Sequence, residues 1–210
     1  MWMKECRQLK HIIVKEENGI DADEMEIFPN LKYIKIYGCI DLEYIFPISV
    51  ARTLLSLESM EIHGCGQLKH IIKNEGEGAT TTHISRKNEE RRSRPYFQKL
   101  RVLRVSDCNE LKCLFSLSNA AQLSQLEILS ISKAAQLEQA FGYKNKDVSC
   151  NTDKTMLPNL SQLTLEMLPN FVDICRGLKV HAVKLRSMRV VECPKFDSIY
   201  RWSTQNPILT

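Results

Sequence analysis

The chain has 210 residues, 29 of them basic and 25 acidic, a net charge of +4 and a hydrophobic share of 43%. That is ample apolar material for a core, and too little charge to argue for nucleic acid as a partner. No apolar run reaches the roughly 18 residues of a membrane span. Met1 opens inside patterned sequence with no basic and apolar leader before it, so no signal peptide is expected.

The chain then repeats itself. Met1, Met3, Cys6, Leu9 and Ile12 fit the second to sixth positions of a pattern whose apolar residues are spaced 3, 2, 3, 3 and 3 apart. The first full copy is Leu31, Ile34, Ile36, Cys39, Leu42 and Ile45. Leu57, Met60, Ile62, Cys65, Leu68 and Ile71 follow, then Leu100, Leu103, Val105, Cys108, Leu111 and Leu114. The next copy is Leu126, Leu129, Ile131, Ala134, Leu137 and Ala140. Leu160, Leu163, Leu165, Leu168, Phe171 and Ile174 come after it, and Leu185, Met188, Val190, Cys193, Phe196 and Ile199 close the series. Every one of these positions is apolar or cysteine, with no gap inside any copy.

Neither a helix of period 3.6 nor a strand of period 2 gives that order. A chain that runs straight briefly, turns a corner and coils back does. The last two residues of each Leu-x-x-Leu-x-Leu part share one side of a short strand, because side chains alternate faces. The cysteine turns inward, where a small, weakly polar thiol packs well. No coil can bury its own apolar edge, so neighbours must stack and lay their strands into one parallel ladder. The architecture expected is an α/β solenoid of about six coils after a partial first one (1–27), with coils starting near 28, 57, 97, 126, 157 and 185. It forms one domain over 1–210. Opening within a strand, without the polar cap a solenoid end needs, suggests a piece of a longer protein or a non-functional gene fragment.

The connections are of two kinds. Ile48, Ser49, Ala51 and Leu54 align with Leu117, Ser118, Ala120 and Leu123. Apolar residues three apart make one stripe of a short helix, and the serine stands where an N-cap would. These helices are expected on the convex back. The long connections, Lys15–Glu26, Lys73–Pro95 and Gly142–Thr155, are polar or charged and read as exposed loops. Two rejoin the coil through Phe28-Pro29-Asn30-Leu31 and Leu157-Pro158-Asn159-Leu160, where proline stops a helix and sets an extended lead-in to the strand.

The chemistry-bearing residues mostly read as structure. Cys6, Cys39, Cys65, Cys108 and Cys193 share one repeat position, a buried ladder of reduced thiols suited to a cytosolic protein. No Cys-x-x-Cys occurs, and His11, His63, His70, His83 and His181 form no ligand cluster, so no zinc is expected. There is no phosphate loop, so no nucleotide or other cofactor is expected in this chain. The sequon at Asn159 has a core leucine in its middle. Arg86, Lys87, Arg91, Arg92 and Arg94 enclose Glu89 and Glu90 and read as a solvated loop. No nucleophile and base stand together, so an enzyme is not expected.

The strands' outward face remains. Its central column reads Lys35, Glu61, Arg104, Ser130, Thr164, Arg189. One flanking column reads Tyr33, Ser59, Val102, Ile128, Gln162, Ser187, and the other Tyr37, His63, Ser106, Ser132, Glu166, Val191. The core positions barely vary between copies while these vary freely, with Tyr and Arg at regular spacing. That suits protein recognition, where both are enriched, although few residues of such a face carry binding energy. The candidate contacts are Tyr33, Lys35, Tyr37, Glu61, His63, Val102, Arg104, Ser106, Ile128, Ser130, Gln162, Thr164, Glu166 and Arg189.

The copies resemble leucine-rich repeats. IYGCIDLEYIF, IHGCGQLKHII, VSDCNELKCLF and VVECPKFDSIY, with the Phe-Pro-Asn-Leu phrase and the alternating long loops, are similar to the C-terminal repeats of plant coiled-coil-class nucleotide-binding leucine-rich-repeat disease-resistance proteins. The resemblance covers Met1 to about Trp202. It implies a horseshoe arc, a cytoplasmic location and a role in plant defence. The protein partner it implies is a pathogen effector or a guarded host protein, and the repeats would hold a nucleotide-binding domain inactive. ADP or ATP would bind in that domain, which these residues do not include. Ala134 and Leu168 depart from the pattern by replacing the ladder cysteine, which would loosen hydrogen bonding locally without changing the chain's path. An alternative is the substrate-receptor module of an F-box ubiquitin ligase, whose repeats also carry cysteine but at more uniform spacing.

Overall fold

A computed structural model describes residues 1–10, 12, 28–73, 96–116, 123–142, 157–175, 180 and 182–196. Seven short strands build one parallel sheet. They are β1 (Trp2–Lys4), β2 (Tyr33–Tyr37), β4 (Ser59–His63), β6 (Val102–Ser106), β8 (Ile128–Ser132), β10 (Gln162–Glu166) and β12 (Ser187–Val191), ordered as they occur in the chain. Their register follows the repeat, as in Ile36↔Ile62, Ile62↔Val105, Val105↔Ile131, Ile131↔Leu165 and Leu165↔Val190. Met3 lies against Ile36, so the opening residues form one more rung.

Hydrogen bonds explain the spacing. In each full copy the first leucine closes a tight turn: Leu31, Leu57, Leu100, Leu126, Leu160 and Leu185 donate their N–H to the carbonyl three residues earlier. Two inward strand positions follow. The residue just before the ladder cysteine then takes a left-handed conformation, with φ between 51° and 67° at Glu5, Gly38, Gly64, Asp107, Lys133, Met167 and Glu192. This swings the next residue into the core. A second turn closes behind it, with Leu42, Leu68, Leu111, Leu137, Phe171 and Phe196 donating to the carbonyl of the ladder residue. The cysteine thiols point back along the chain, Cys108 Sγ donating to the Ser106 carbonyl at 3.3 Å and Cys193 Sγ to Val191 at 3.4 Å. Ala134 and Leu168 lack that bond, yet both are fully buried on the same path.

The left-handed corner is a place where glycine matters. A Cβ on Gly38 would stand 3.3 Å from Glu5 Cγ, at φ +66°. Gly38→Ala should lower stability by about 1–2 kcal/mol, the cost of that conformation for a residue with a side chain. Met167→Gly should gain up to about 1 kcal/mol after the entropy cost of glycine. Urea midpoints of the two variants check the pair, and unchanged midpoints in both would remove the corner from the account.

The convex side differs from the helices expected there. It is made chiefly of further short strands: β3 (Tyr44–Pro47) with β5 (His70–Lys73), and β7 (Phe115–Ser116), β9 (Gln139–Gly142) and β11 (Asp173–Cys175) in a three-stranded sheet. Helix is present in one turn only among the described residues, α1 (Ile48–Ala51), and Pro47 rather than Ser49 is its N-cap. Ser49 is buried inside that turn, and its hydroxyl has no partner. The matching stretch at Leu117–Ala120 lies outside the described residues, as do nearly all of the long connections. Gly142, expected to open a loop, is instead the last residue of β9.

The strands arise because the sixth repeat position is followed by a second inward residue. Phe46, Ile72, Phe115, Phe141 and Cys175 are all buried. Phe46 lies against Ile72, and Phe141 against both Phe115 and Cys175. Phe97, Phe115 and Phe141 carry the stack onward, with ring centroids 5.7 Å and 6.3 Å apart. The proline phrases differ too. Leu31 and Leu160 donate their N–H to the carbonyls of Phe28 and Leu157, so Pro29 and Pro158 stand inside tight turns instead of setting an extended lead-in. Phe28 and Leu157 themselves take φ of 64° and 54°. Proline's fixed φ suits the second position of such a turn.

One core runs the length of the stack. The six repeat positions are buried in every full copy through Ile174 except Leu31, which is half-buried. On the last rung Leu185, Val190, Cys193 and Phe196 are only partly covered.

Candidate recognition face

The outward side chains of the seven-stranded sheet stand in three straight columns, because every strand pairs with the next without slipping. Lys35 faces Glu61, Glu61 faces Arg104, and Arg104, Ser130, Thr164 and Arg189 continue the line. Val102, Ile128 and Gln162 stand in register on one side, and Ser106, Ser132 and Glu166 on the other. Two members escaped the sequence reading. Trp2 extends the central column beside Lys35 and Lys4 extends the flank beside Tyr37. A copy lacking its first position hid them. Trp2 is 73% exposed and Tyr33 55%, the two largest aromatic surfaces on this face.

The half of the face nearest β2 is held by one acid. Lys35 Nζ lies 3.0 Å from Glu61 Oε2, the Tyr37 hydroxyl donates to the same oxygen at 2.9 Å, and Arg104 Nη1 reaches Oε1 at 3.4 Å. Partial burial pushes the Glu61 carboxyl up, but the hydrogen bonds from Lys35 and Tyr37 and the two cations outweigh it and hold it below the ordinary value. The same contacts raise Lys35 and Tyr37. Farther along, Arg189 Nε donates to Glu166 Oε1 at 2.6 Å. On the rim, Arg101 grips Glu127 with two bonds of 3.0 Å, which hold that carboxyl low.

His63 is brought between two residues far from it in sequence. Its Nδ1 lies 2.6 Å from Ser106 Oγ and 3.2 Å from Asp107 Oδ2. Serine, histidine and aspartate together invite a catalytic reading. A relay needs the hydroxyl on one ring nitrogen and the carboxylate on the other. Here both meet the same nitrogen, so they compete for it, and the cluster is a polar strap between β4 and the corner after β6.

Elsewhere the chemistry is quiet. The buried Cys108 thiol is pushed well up by its hydrogen bond to Cys65 and by burial, and burial does the same to Cys175. Among the described residues no group of His, Cys, Asp and Glu could hold a metal ion, and no helix is long and apolar enough to cross a membrane.

The family described as plant disease resistance protein RPS2-like, leucine-rich repeats, matches residues 2–66 and 68–209. The chain is also 29% identical to the probable disease resistance protein At4g27220 of Arabidopsis thaliana over 103 residues. That stretch is 49% of this chain and 11% of the relative. No solved structure matches it. The coil register and the match over nearly the whole sequence agree: this chain belongs to the RPS2-like leucine-rich repeats of plant disease resistance proteins.

Proposed function

We propose that the chain is the sensing module of a cytoplasmic plant immune receptor. In this reading its concave wall binds a protein, either a pathogen effector or a guarded host protein, and restrains a nucleotide-binding domain carried elsewhere in the receptor. The observation that supports it is the contrast between an almost invariant buried frame and three columns of freely varying side chains on one accessible face. A face kept for packing would repeat; this one changes from Lys-Glu-Arg to Ser-Thr in the space of five rungs. Binding energy at such faces concentrates in aromatic and arginine anchors, and Trp2, Tyr33, Arg104 and Arg189 are the candidates here.

The test is charge reversal at Lys35, Arg104 and Arg189 in a complete receptor carrying these repeats. Partner binding should fall at least tenfold, or resting restraint should fail and give activity without a trigger. Unchanged trigger response together with unchanged rest would refute the role of this face.

A further inference from the structure

We propose that the middle of the concave wall, centred on Arg104, Ser130 and Thr164, is a docking lane for an acidic segment of the protein partner. The proposal rests on the recognition role above and names the partner's chemistry.

The wall's charged groups are unevenly satisfied. Glu61, Asp107 and Glu166 each have a cation or histidine at hand: Lys35 and Arg104 for the first, Lys133 and His63 for the second, Arg189 for the third. Lys35 and Arg104 share the single carboxylate of Glu61, which Lys35 at 3.0 Å and the Tyr37 hydroxyl at 2.9 Å hold more closely. Arg104 is the less satisfied of the two cations: its contact with Glu61 is a single N–H at 3.4 Å and its side chain is 48% exposed. A guanidinium has five donors in a fixed fork that fits a carboxylate. Among the described residues, Glu61 is the one hydrogen-bond partner of that fork.

Beside Arg104 the side chains are short. Ser130 is its in-register neighbour on β8, Thr164 the next on β10, and Arg189 the next on β12. Three strand spacings, about 14 Å, separate the two arginines, and the floor between them carries only hydroxyls. Among the described residues Ser130, Ser132 and Thr164 make no side-chain hydrogen bond, whereas Ser106 is engaged by His63. Half-buried Val102 and Ile128 line one flank. An extended chain fits such a shelf: a glutamate or aspartate accepts from the Arg104 fork, neighbouring polar groups meet the serine and threonine hydroxyls, and apolar atoms rest on Val102 and Ile128. A basic segment would meet the Arg104 guanidinium with like charge. A large apolar one would strip water from three hydroxyls without replacing their bonds.

The probe is the blocked peptide Gly-Glu-Glu-Glu-Gly, titrated into the isotope-labelled full chain, with Gln-for-Glu and Lys-for-Glu versions as comparisons. Saturable NMR shifts are expected at the Arg104 guanidinium and the amides of Ser130 and Thr164 with the Glu peptide alone. Arg104→Gln should weaken binding at least fivefold. Thr164→Val, which keeps the branched strand residue and removes the hydroxyl, should weaken it about threefold with an unchanged melting temperature. Equal shifts with the Gln peptide, shifts centred on the rim at Arg101 or Arg186, tighter binding of an oligouridylate at the same residues, or no saturable shift would each overturn the proposal. If the peptide fails while charge reversal still abolishes the receptor's response, the acidic-ligand proposal falls and the recognition role stands. If the peptide binds and the receptor ignores charge reversal, the lane stands and that role falls.

Discussion

Leu103→Ala, in the middle strand of the ladder, should cost about 2–5 kcal/mol, the range for emptying a leucine site in a packed core. Leu103 is fully buried, and its strand β6 is covered by β4 on one side and β8 on the other. Marginally stable domains hold only about 5–15 kcal/mol in all, so this one change should remove a large fraction. Met188→Ala, at the equivalent position of β12, should cost less than half as much. Met188 is nearly as buried, but among the described strands β12 has a neighbour on one side only, and a terminal rung can fray alone. Urea unfolding followed by far-UV circular dichroism gives both numbers. Equal costs at the two sites would mean that the core is not a chain of nearest-neighbour interfaces.

Glu61→Lys has the second large effect. It would set a third cation in register between Lys35 and Arg104, where one carboxylate now accepts from both neighbours and from Tyr37. Like charges directly opposite on neighbouring strands repel, and the half-buried site screens them poorly. A loss of about 1–3 kcal/mol is expected, smaller in high salt. Glu61→Gln isolates the pH dependence. The folded carboxyl titrates below its ordinary 4.5, so its stabilisation is complete above that value and is lost as pH falls through the lower folded value. The gap between the native chain and Glu61→Gln should therefore be fully open at about pH 6 and shrink progressively as the pH falls below 4.5 and through the lower folded value. A gap that widened on acidification would reverse the sign assigned to this group.

The coil was legible because burial is compulsory at fixed intervals. Leu31, Ile34, Ile36, Cys39, Leu42 and Ile45 declare it, and the register of the columns follows by counting. The back was less legible. Phe46, Ile72, Phe115, Phe141 and Cys175 each follow another apolar residue, and a doublet fits a buried strand as readily as a helix turn. The Ser49 and Ala51 pattern points to helix, and four residues of it form. Pro47 fixes its start, and the four residues just before the helix pair with β5 as strand β3. Tight turns at Phe28 and Leu157 were hidden because left-handed φ is rare outside glycine and nothing in a phenylalanine or leucine announces it. The pairing of His63 with Ser106 could be read from their shared column, but the approach of Asp107 to the same ring nitrogen could not, because the left-handed corner sets it.

The left-handed corner closes every rung with the same stride, whatever side chain stands there: glycine, aspartate, lysine or methionine. Rungs are therefore interchangeable parts. A recombination event that drops, doubles or swaps one whole copy in frame would move everything beyond it by one strand spacing and leave each remaining junction intact. It would deal a fresh sequence of outward residues on the same corner geometry.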